Sequence, residues 1–409
     1  MNNIDLIKQA EKALVTQFEA IDEIRDFNQE KVLQAFIDNR VAPEHFYTVS
    51  GYGHDDLGRE VLDNVFAQVF KAEKALVRVH FVSGTHTLAC ALFGNLKQGD
   101  KLLSVAGAPY DTMQEVIGTL GDEETKRASL IGNGVLYDEV PLVDGYDIDF
   151  DALENKVDDS TTMVLIQRSK GYSTRKSLTI ETIEKICKIV KSKNPNCICF
   201  VDNCYGEFVD TKEPLEVGAD LMAGSLIKNA GGGIVEAGGY IAGKQLLVER
   251  AAVRLTAPGI GSEGGAMFNQ HRLMFQGLFM APSVVSDALK GAVLASKIFD
   301  EIGYNSYPKY YEKRTDIIQN ITFGAPEPLE EFCRTIQALS PVNGYVTPIP
   351  ENIPGYEDKV IMAGGTFVEG STIELSADGP MREPYVAYLQ GGLNYAHVKI
   401  ALKRFLNSI

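Results

Sequence analysis

Asp202 and Lys228 stand 26 residues apart, each just beyond an apolar run. The first run, Cys197-Ile198-Cys199-Phe200-Val201, closes on Asp202; the second, Ala219 to Gly224, leads to Ser225 and Lys228. Short apolar runs with polar ends predict buried strands of a parallel sheet. In open α/β sheets ligands bind beyond the carboxyl ends of the strands, so an acid and a lysine delivered there can face one ligand. A carboxylate against a ring nitrogen and a lysine that forms an imine are what pyridoxal 5'-phosphate (PLP) asks of its protein. Singly, such an Asp is as readily a cap, and a Lys among glycines a solvated loop residue. The signal is the pairing.

The surroundings extend it. Ser225 precedes Lys228 by three, and Gly231-Gly232-Gly233 follows, small residues that let a bulky ring approach the backbone. Upstream, a strand at 75–79 leads to Ser83-Gly84-Thr85-His86-Thr87 and an apolar helix, a junction that aims backbone N–H groups and a positive dipole end at an anion. A strand at 101–105 runs into Gly107-Ala108-Pro109-Tyr110, leaving a tyrosine at a strand's end. With Ser-x-x-Lys after a strand-borne Asp, the sequence resembles the fold type I PLP-dependent enzymes, within them the branch of cystathionine and methionine carbon–sulfur lyases. Gly-Ser-Leu-Ile-Lys-Asn and Glu-Leu-Ser-Ala-Asp-Gly-Pro are most similar to a subgroup of aluminium resistance, cystathionine β-lyase-like proteins, and the resemblance covers nearly the full chain.

That resemblance implies an α/β fold, a mostly parallel large domain that binds PLP with a smaller α+β C-terminal domain, and it carries roles over residue by residue. Lys228 holds the cofactor and, once released, takes the α-proton of an amino acid substrate; Asp202 holds the ring nitrogen. Gly84, Thr85, His86 and Ser225 contact the cofactor, the first three as its phosphate cup, and Tyr110 stacks on the ring and takes part in proton transfer. Tyr52, in Ser50-Gly51-Tyr52-Gly53-His54, reaches across a dimer interface to the neighbouring cofactor phosphate and borders the substrate. Arg382 grips the substrate α-carboxylate, a two-pronged bond for which lysine is a poor replacement. The implied reaction is elimination of a β or γ substituent, with aminotransfer and a non-catalytic metal-tolerance role on the same scaffold as alternatives. Lysine serves as a base only if its pKa falls toward neutrality. Two departures bear on the substrate. Arg168-Ser169-Lys170-Gly171-Tyr172-Ser173-Thr174-Arg175-Lys176 puts four cations in nine residues where the lyases carry a turn with proline and asparagine, and Glu374 stands in place of their arginine. The basic loop is then a second candidate for anionic substrate groups.

The elements that must position these residues follow from length and pattern. A chain of 409 residues, 45% hydrophobic and 23% charged, predicts a globular protein of two or three domains. It is expected to divide into an N-terminal helical segment 1–45, a PLP-binding α/β domain 46–280 and a small α+β domain 281–409. No apolar run approaches the ~18 residues of a membrane span, and no leader pattern precedes residue 22, so a cytoplasmic protein without a membrane partner is expected. A net charge of −16 argues against nucleic acid. The six cysteines lack paired spacing and read as core thiols, with Cys204 nearest the site and no structural metal. Residues 4–38 read as two helices broken near 26–28, with an apolar face that both the chain's own small domain and a neighbouring subunit would cover; a homodimer or homotetramer with shared sites is expected. Thr256 to Gly265 is glycine-rich and reads as a mobile loop over the site. Beyond residue 281 the expectation is helices at 284–302 and 310–320, strands near 332–336, 347–349, 359–362 and 373–375, and a closing helix at 386–406.

Overall fold

Apolar runs with polar ends become the strands of one large sheet. A computed structural model describes residues 3–353 and 358–408. Its first nine strands are β1 (Lys74–Arg78), β2 (Lys101–Ser104), β3 (Leu136–Glu139), β4 (Leu142–Val143), β5 (Asp147–Ile148), β6 (Thr161–Gln167), β7 (Ile198–Asp202), β8 (Leu221–Ser225) and β9 (Gly239–Gly243). Seven form a sheet in the order β1-β9-β8-β7-β6-β2-β3, while β4 and β5 make a separate ribbon. Only β9 runs against its neighbours; every other pair in the large sheet is parallel. Helices cover both faces, so β7 and β8 are buried almost throughout and read in the sequence as continuous apolar runs. All six cysteines are buried and free.

A second, antiparallel sheet follows: β10 (Asn305–Tyr307), β11 (Ile318–Thr322), β12 (Val360–Ala363), β13 (Ser376–Pro380) and β14 (Val386–Gln390), in the order β10-β11-β14-β13-β12. The helix His271–Glu301 connects the two halves and runs through residue 280 without a break, Pro282 included. By length and apolarity it could cross a bilayer, but 72% of its most apolar window is buried inside the protein. It packs on the helix Val15–Asp38, on Asn229–Gly231 beside Lys228, and on β10 and β11.

Several expectations need correction. The N-terminal break falls at Leu14, between helices Asn3–Ala13 and Val15–Asp38. The helix continues through Asn28 because that amide is buried and donates to Ile24 O, Phe208 O and Asp210 O. Residues 332–336 lie in a helix, Pro326–Ala338, with Leu329, Phe332, Cys333 and Ile336 on its buried face. Residues 310–320 are irregular chain leading into β11, and 347–349 form no strand. The expected closing helix is β14 followed by a helix at Tyr395–Leu406, divided at Gly391-Gly392 and capped by the Asn394 side chain on the His397 N–H.

Candidate active site

Strand β7 delivers Asp202, and the chain then turns tightly. Asp202 Oδ1 accepts the Cys204 N–H (3.1 Å), while the Asn203 N–H donates to Ala223 O (2.9 Å) on β8. Tyr205 is left-handed at φ 67°, a conformation a bulky side chain tolerates only when its surroundings enforce it. The turn sets its ring against Lys228, with Nζ 3.7 Å from the ring centroid. Lys228 Nζ donates to Ser371 O (2.9 Å), which also accepts from the Tyr205 hydroxyl (3.2 Å). Gln390 Nε2, from β14, donates to that same hydroxyl (3.2 Å).

Burial pushes the Asp202 carboxyl above its usual range, against the Cys204 hydrogen bonds and the charges of Lys228 and Arg175. Burial works in the opposite direction on Lys228, yet Tyr205, Cys204 and Asp202 outweigh it and hold the amine above its ordinary value. The fall toward neutrality expected for a basic lysine is therefore absent from this arrangement. With its pKa held up by these partners, the amine keeps its proton in this arrangement.

The residues expected to cup a phosphate lie where β8 meets the helix Gly84–Asn95. Ser83 Oγ accepts the His86 N–H (3.1 Å), and the His86 ring accepts the Val82 N–H through Nδ1 (3.2 Å), so this histidine braces the turn. Burial and, less strongly, Arg254 hold the His86 imidazole below its ordinary pKa. Gly84 and Thr85 open the helix, where N–H groups lack intrahelical acceptors by construction. A Cβ on Gly84 would sit 3.3 Å from Ser225 Cβ, and Ser225 Oγ is buried with no hydrogen-bond partner. The Tyr110 hydroxyl lies 3.4 Å from Thr85 Oγ1, which also meets Thr112 Oγ1 (3.2 Å), and Gln167 Oε1 accepts the Tyr110 N–H (3.0 Å). A phosphorylated pyridine fits these residues: an orphaned hydroxyl beside a helix opening for the phosphate, Tyr110 for the ring face, Asp202 for its nitrogen, Lys228 for its aldehyde.

The triple glycine also permits close packing of the chain on itself. A Cβ on Gly231 would meet Leu226 O at 1.7 Å, one on Gly232 would meet Gly277 O at 2.3 Å, and one on Gly233 would meet Leu393 at 2.2 Å. These residues press the Lys228 loop onto its own strand end and the helix His271–Glu301.

The basic loop is largely internal. Arg175 is buried and donates to Gln167 O (2.9 Å), Ser169 O (2.8 Å) and Lys176 O (2.7 Å). Arg168 Nη1 donates to Asn203 Oδ1 (2.8 Å), fixing the turn after Asp202, and Lys176 pairs with Asp147 near the surface (2.9 Å). Lys170 is buried over the Tyr307 ring (4.8 Å), and burial brings its amine down to about 8. Glu374, at the position of the lyases' arginine, accepts the N–H groups of Phe367 (3.0 Å) and Val368 (2.9 Å) and so shapes a turn. Arg382 is turned into an exposed pair with Asp358 (3.2 Å), and among the described residues it has no hydrogen bond to the Lys228 cluster. Tyr52 is 83% exposed, its ring beside His54. The Thr256 to Gly265 segment, expected to be mobile, is tied down by buried arginines: Arg59 donates to Gly53 O (2.6 Å), Gly265 O (3.1 Å) and Glu263 O (3.0 Å), and Arg78 to Ser262 O (3.1 Å). Tyr205 and Ser371 were not foreseen, although Tyr205 follows Asp202 by three residues and could have been read as facing the same ligand.

A mostly parallel seven-stranded sheet, with an acid and a lysine at adjacent strand ends and a second antiparallel sheet behind them, defines the type I fold of PLP-dependent enzymes. The family model for methionine gamma-lyase matches residues 3–409, and the chain belongs to that family. It is 49% identical over 389 residues to YnbB of Bacillus subtilis strain 168, covering 95% of this chain and 92% of YnbB. A solved structure from Clostridium novyi NT, named a carbon-sulfur lyase involved in aluminum resistance, is 50% identical with a TM-score of 0.94, over 99% of this chain and 95% of that one. The PLP-dependent protein YhfS from Escherichia coli shares the fold alone, at 17% identity and a TM-score of 0.61 over 95% and 97% of the two chains.

Proposed function

We propose that the protein is a PLP-dependent lyase that breaks a carbon–sulfur bond in an amino acid by β- or γ-elimination, acting in the cytoplasm as a homodimer or homotetramer. The observation that carries this reading is the convergence of Asp202, Lys228 and the orphaned Ser225 hydroxyl at one corner of the sheet. Bound PLP supplies an electron sink for the bonding electrons of the substrate α-carbon. The residues supply the rest. Lys228 moves the α-proton at its Nζ once Ser371 O and the Tyr205 ring release it. Asp202 keeps a positive charge on the ring nitrogen, and Tyr110 holds the ring face. Ser225 with the helix opening at Gly84 and Thr85 anchors the phosphate. The exposed Tyr52 is assigned to the partner subunit's site, where its hydroxyl would meet phosphate and substrate.

Visible absorbance of the purified protein, lost in Lys228→Ala, tests the cofactor. A panel of sulfur amino acids, followed for keto acid, ammonia and thiol, tests the reaction. Colourless wild-type protein that cannot be reconstituted with PLP refutes the reading, and transfer of the amino group to a keto acid without ammonia release replaces it with an aminotransferase.

A further inference from the structure

The second sheet turns one polar face toward Lys228. Residues alternate along its strands, so Ser376 and Asp378 on β13 and their cross-strand partners Gln390 and Tyr388 on β14 share that face. The opposite face meets the helix Pro326–Ala338, where a Cβ on Gly379 would lie 2.8 Å from Leu329. Gln390 ties the polar face to the site through the Tyr205 hydroxyl, and Ser376 Oγ is buried there without a partner. Tyr172 approaches from the loop after β6, next to Gly171, whose Cβ position lies 3.7 Å from Tyr110 Cβ. Its hydroxyl donates to Asp378 Oδ2 (2.6 Å), while Tyr388 donates to Tyr172 O (2.8 Å) and packs ring to ring with it (5.1 Å). Asp378 is 5% exposed and forms no salt bridge among the described residues. An aspartate oriented by a tyrosine thus lies near enough to Lys228 for that lysine's charge to act on it.

We propose that Asp378, oriented by Tyr172, is the acid that protonates the departing sulfur, an inference that rests on the lyase reading. The carbon–sulfur bond breaks with its electron pair on sulfur, the Asp378 O–H proton forms the S–H bond of the released thiol, and the carboxylate regains a proton from solvent before the next turnover. Thiolates are poor leaving groups beside their conjugate thiols, so a proton at this point lowers the barrier. Lys228 is occupied with the α-carbon, and the Tyr110 hydroxyl sits beside Thr85 in the phosphate cup. The charges bearing on Asp378 agree with the role. Burial raises its carboxyl to about 6, with the Tyr172 hydrogen bond and the Lys228 charge working against that rise. Cys333, from the helix behind the sheet, and the Tyr388 phenol, itself under the Arg382 charge, are further titratable neighbours among the described residues, both with pKa values raised by burial. An acid near 6 retains its proton in about one molecule in ten at pH 7, enough to serve as a donor.

The test compares two substrates of the holoenzyme, an S-alkyl cysteine, whose thiolate needs a proton, and β-chloroalanine, whose chloride does not. Asp378→Asn is expected to slow thiol release by roughly 10²- to 10⁴-fold while leaving chloride release within a few-fold. Tyr172→Phe, lacking the hydrogen bond that lowers the Asp378 pKa, is expected to move the acidic group in the thiol pH profile upward. Independently of turnover, infrared difference spectra of wild type against Asp378→Asn should show a protonated carboxyl band that fades near pH 6. Equal loss on both substrates, no loss on either, or no such band overturns the assignment of Asp378 alone. Wild-type enzyme inert toward both substrates overturns the lyase reading, and this proposal with it.

Discussion

Glu207 offers a test of the scaffold behind the site that needs no substrate. Its Oε1 accepts the Tyr240 hydroxyl (2.8 Å), its Oε2 is buried without a partner, and the carboxyl occupies the space beside Gly224, where a Cβ would lie 2.5 Å from Oε1. Burial lifts the carboxyl from 4.5 to about 8; nearby Glu213 adds to the rise, and Tyr240 and Arg168 oppose it. The folded chain therefore keeps a proton that the unfolded chain has lost, and stability falls as pH rises from 4.5 through 8. At 1.36 kcal/mol per unit the full span is worth on the order of 5 kcal/mol. Glu207→Gln keeps the shape and the acceptor for Tyr240 but never ionises. Urea unfolding followed by circular dichroism, at fixed protein concentration and saturating PLP, should give matching stabilities below the unfolded pKa, near pH 4. By pH 8 the glutamine variant should be more stable by several kcal/mol. Parallel pH profiles for the two proteins, or a variant weaker at every pH, would refute the reasoning.

Other perturbations probe separate features. Gly231→Ala should destabilise the fold by more than about 2 kcal/mol, read as a drop in Tm, because its Cβ would collide with the Leu226 carbonyl. Arg59→Met should expose the Thr256 to Gly265 segment to limited proteolysis, since two of its carbonyls lose the charged donor that also ties down Gly53 O. Arg382→Ala should leave kcat/KM within about threefold and stability within about 1 kcal/mol, as an exposed pair with Asp358 contributes little. A large rise in KM would instead restore Arg382 as the carboxylate clamp.

What the sequence made legible was the large sheet and the corner that carries Asp202 and Lys228. Strands buried on both faces read as unbroken apolar runs, and the polar residues that end them gather at one corner of the sheet. Legibility faded where burial is polar. Asn28 reads as a helix breaker until its amide is seen satisfying carbonyls across the interior. The cations at 168–176 read as a solvated or anion-binding loop, yet Arg175 holds carbonyls of its own loop and Arg168 braces Asn203. The Pro326–Ala338 helix was readable from Leu329, Phe332, Cys333 and Ile336, and the local run at 332–336 hid that longer period. Tyr172 and Asp378 are 206 residues apart, and nothing local in either segment announces that they meet.

The helix His271–Glu301 carries one more implication. At 1.5 Å per residue its 31 residues form a rod of roughly 46 Å, seated at one end on the lysine loop and at the other on the second sheet. A continuous beam of this kind resists a hinge at its middle, so substrate entry would be accommodated by side chains and surface loops, not by swinging one half of the chain away from the other. Calorimetry should then record one melting event for the protomer, with both sheets surrendering together.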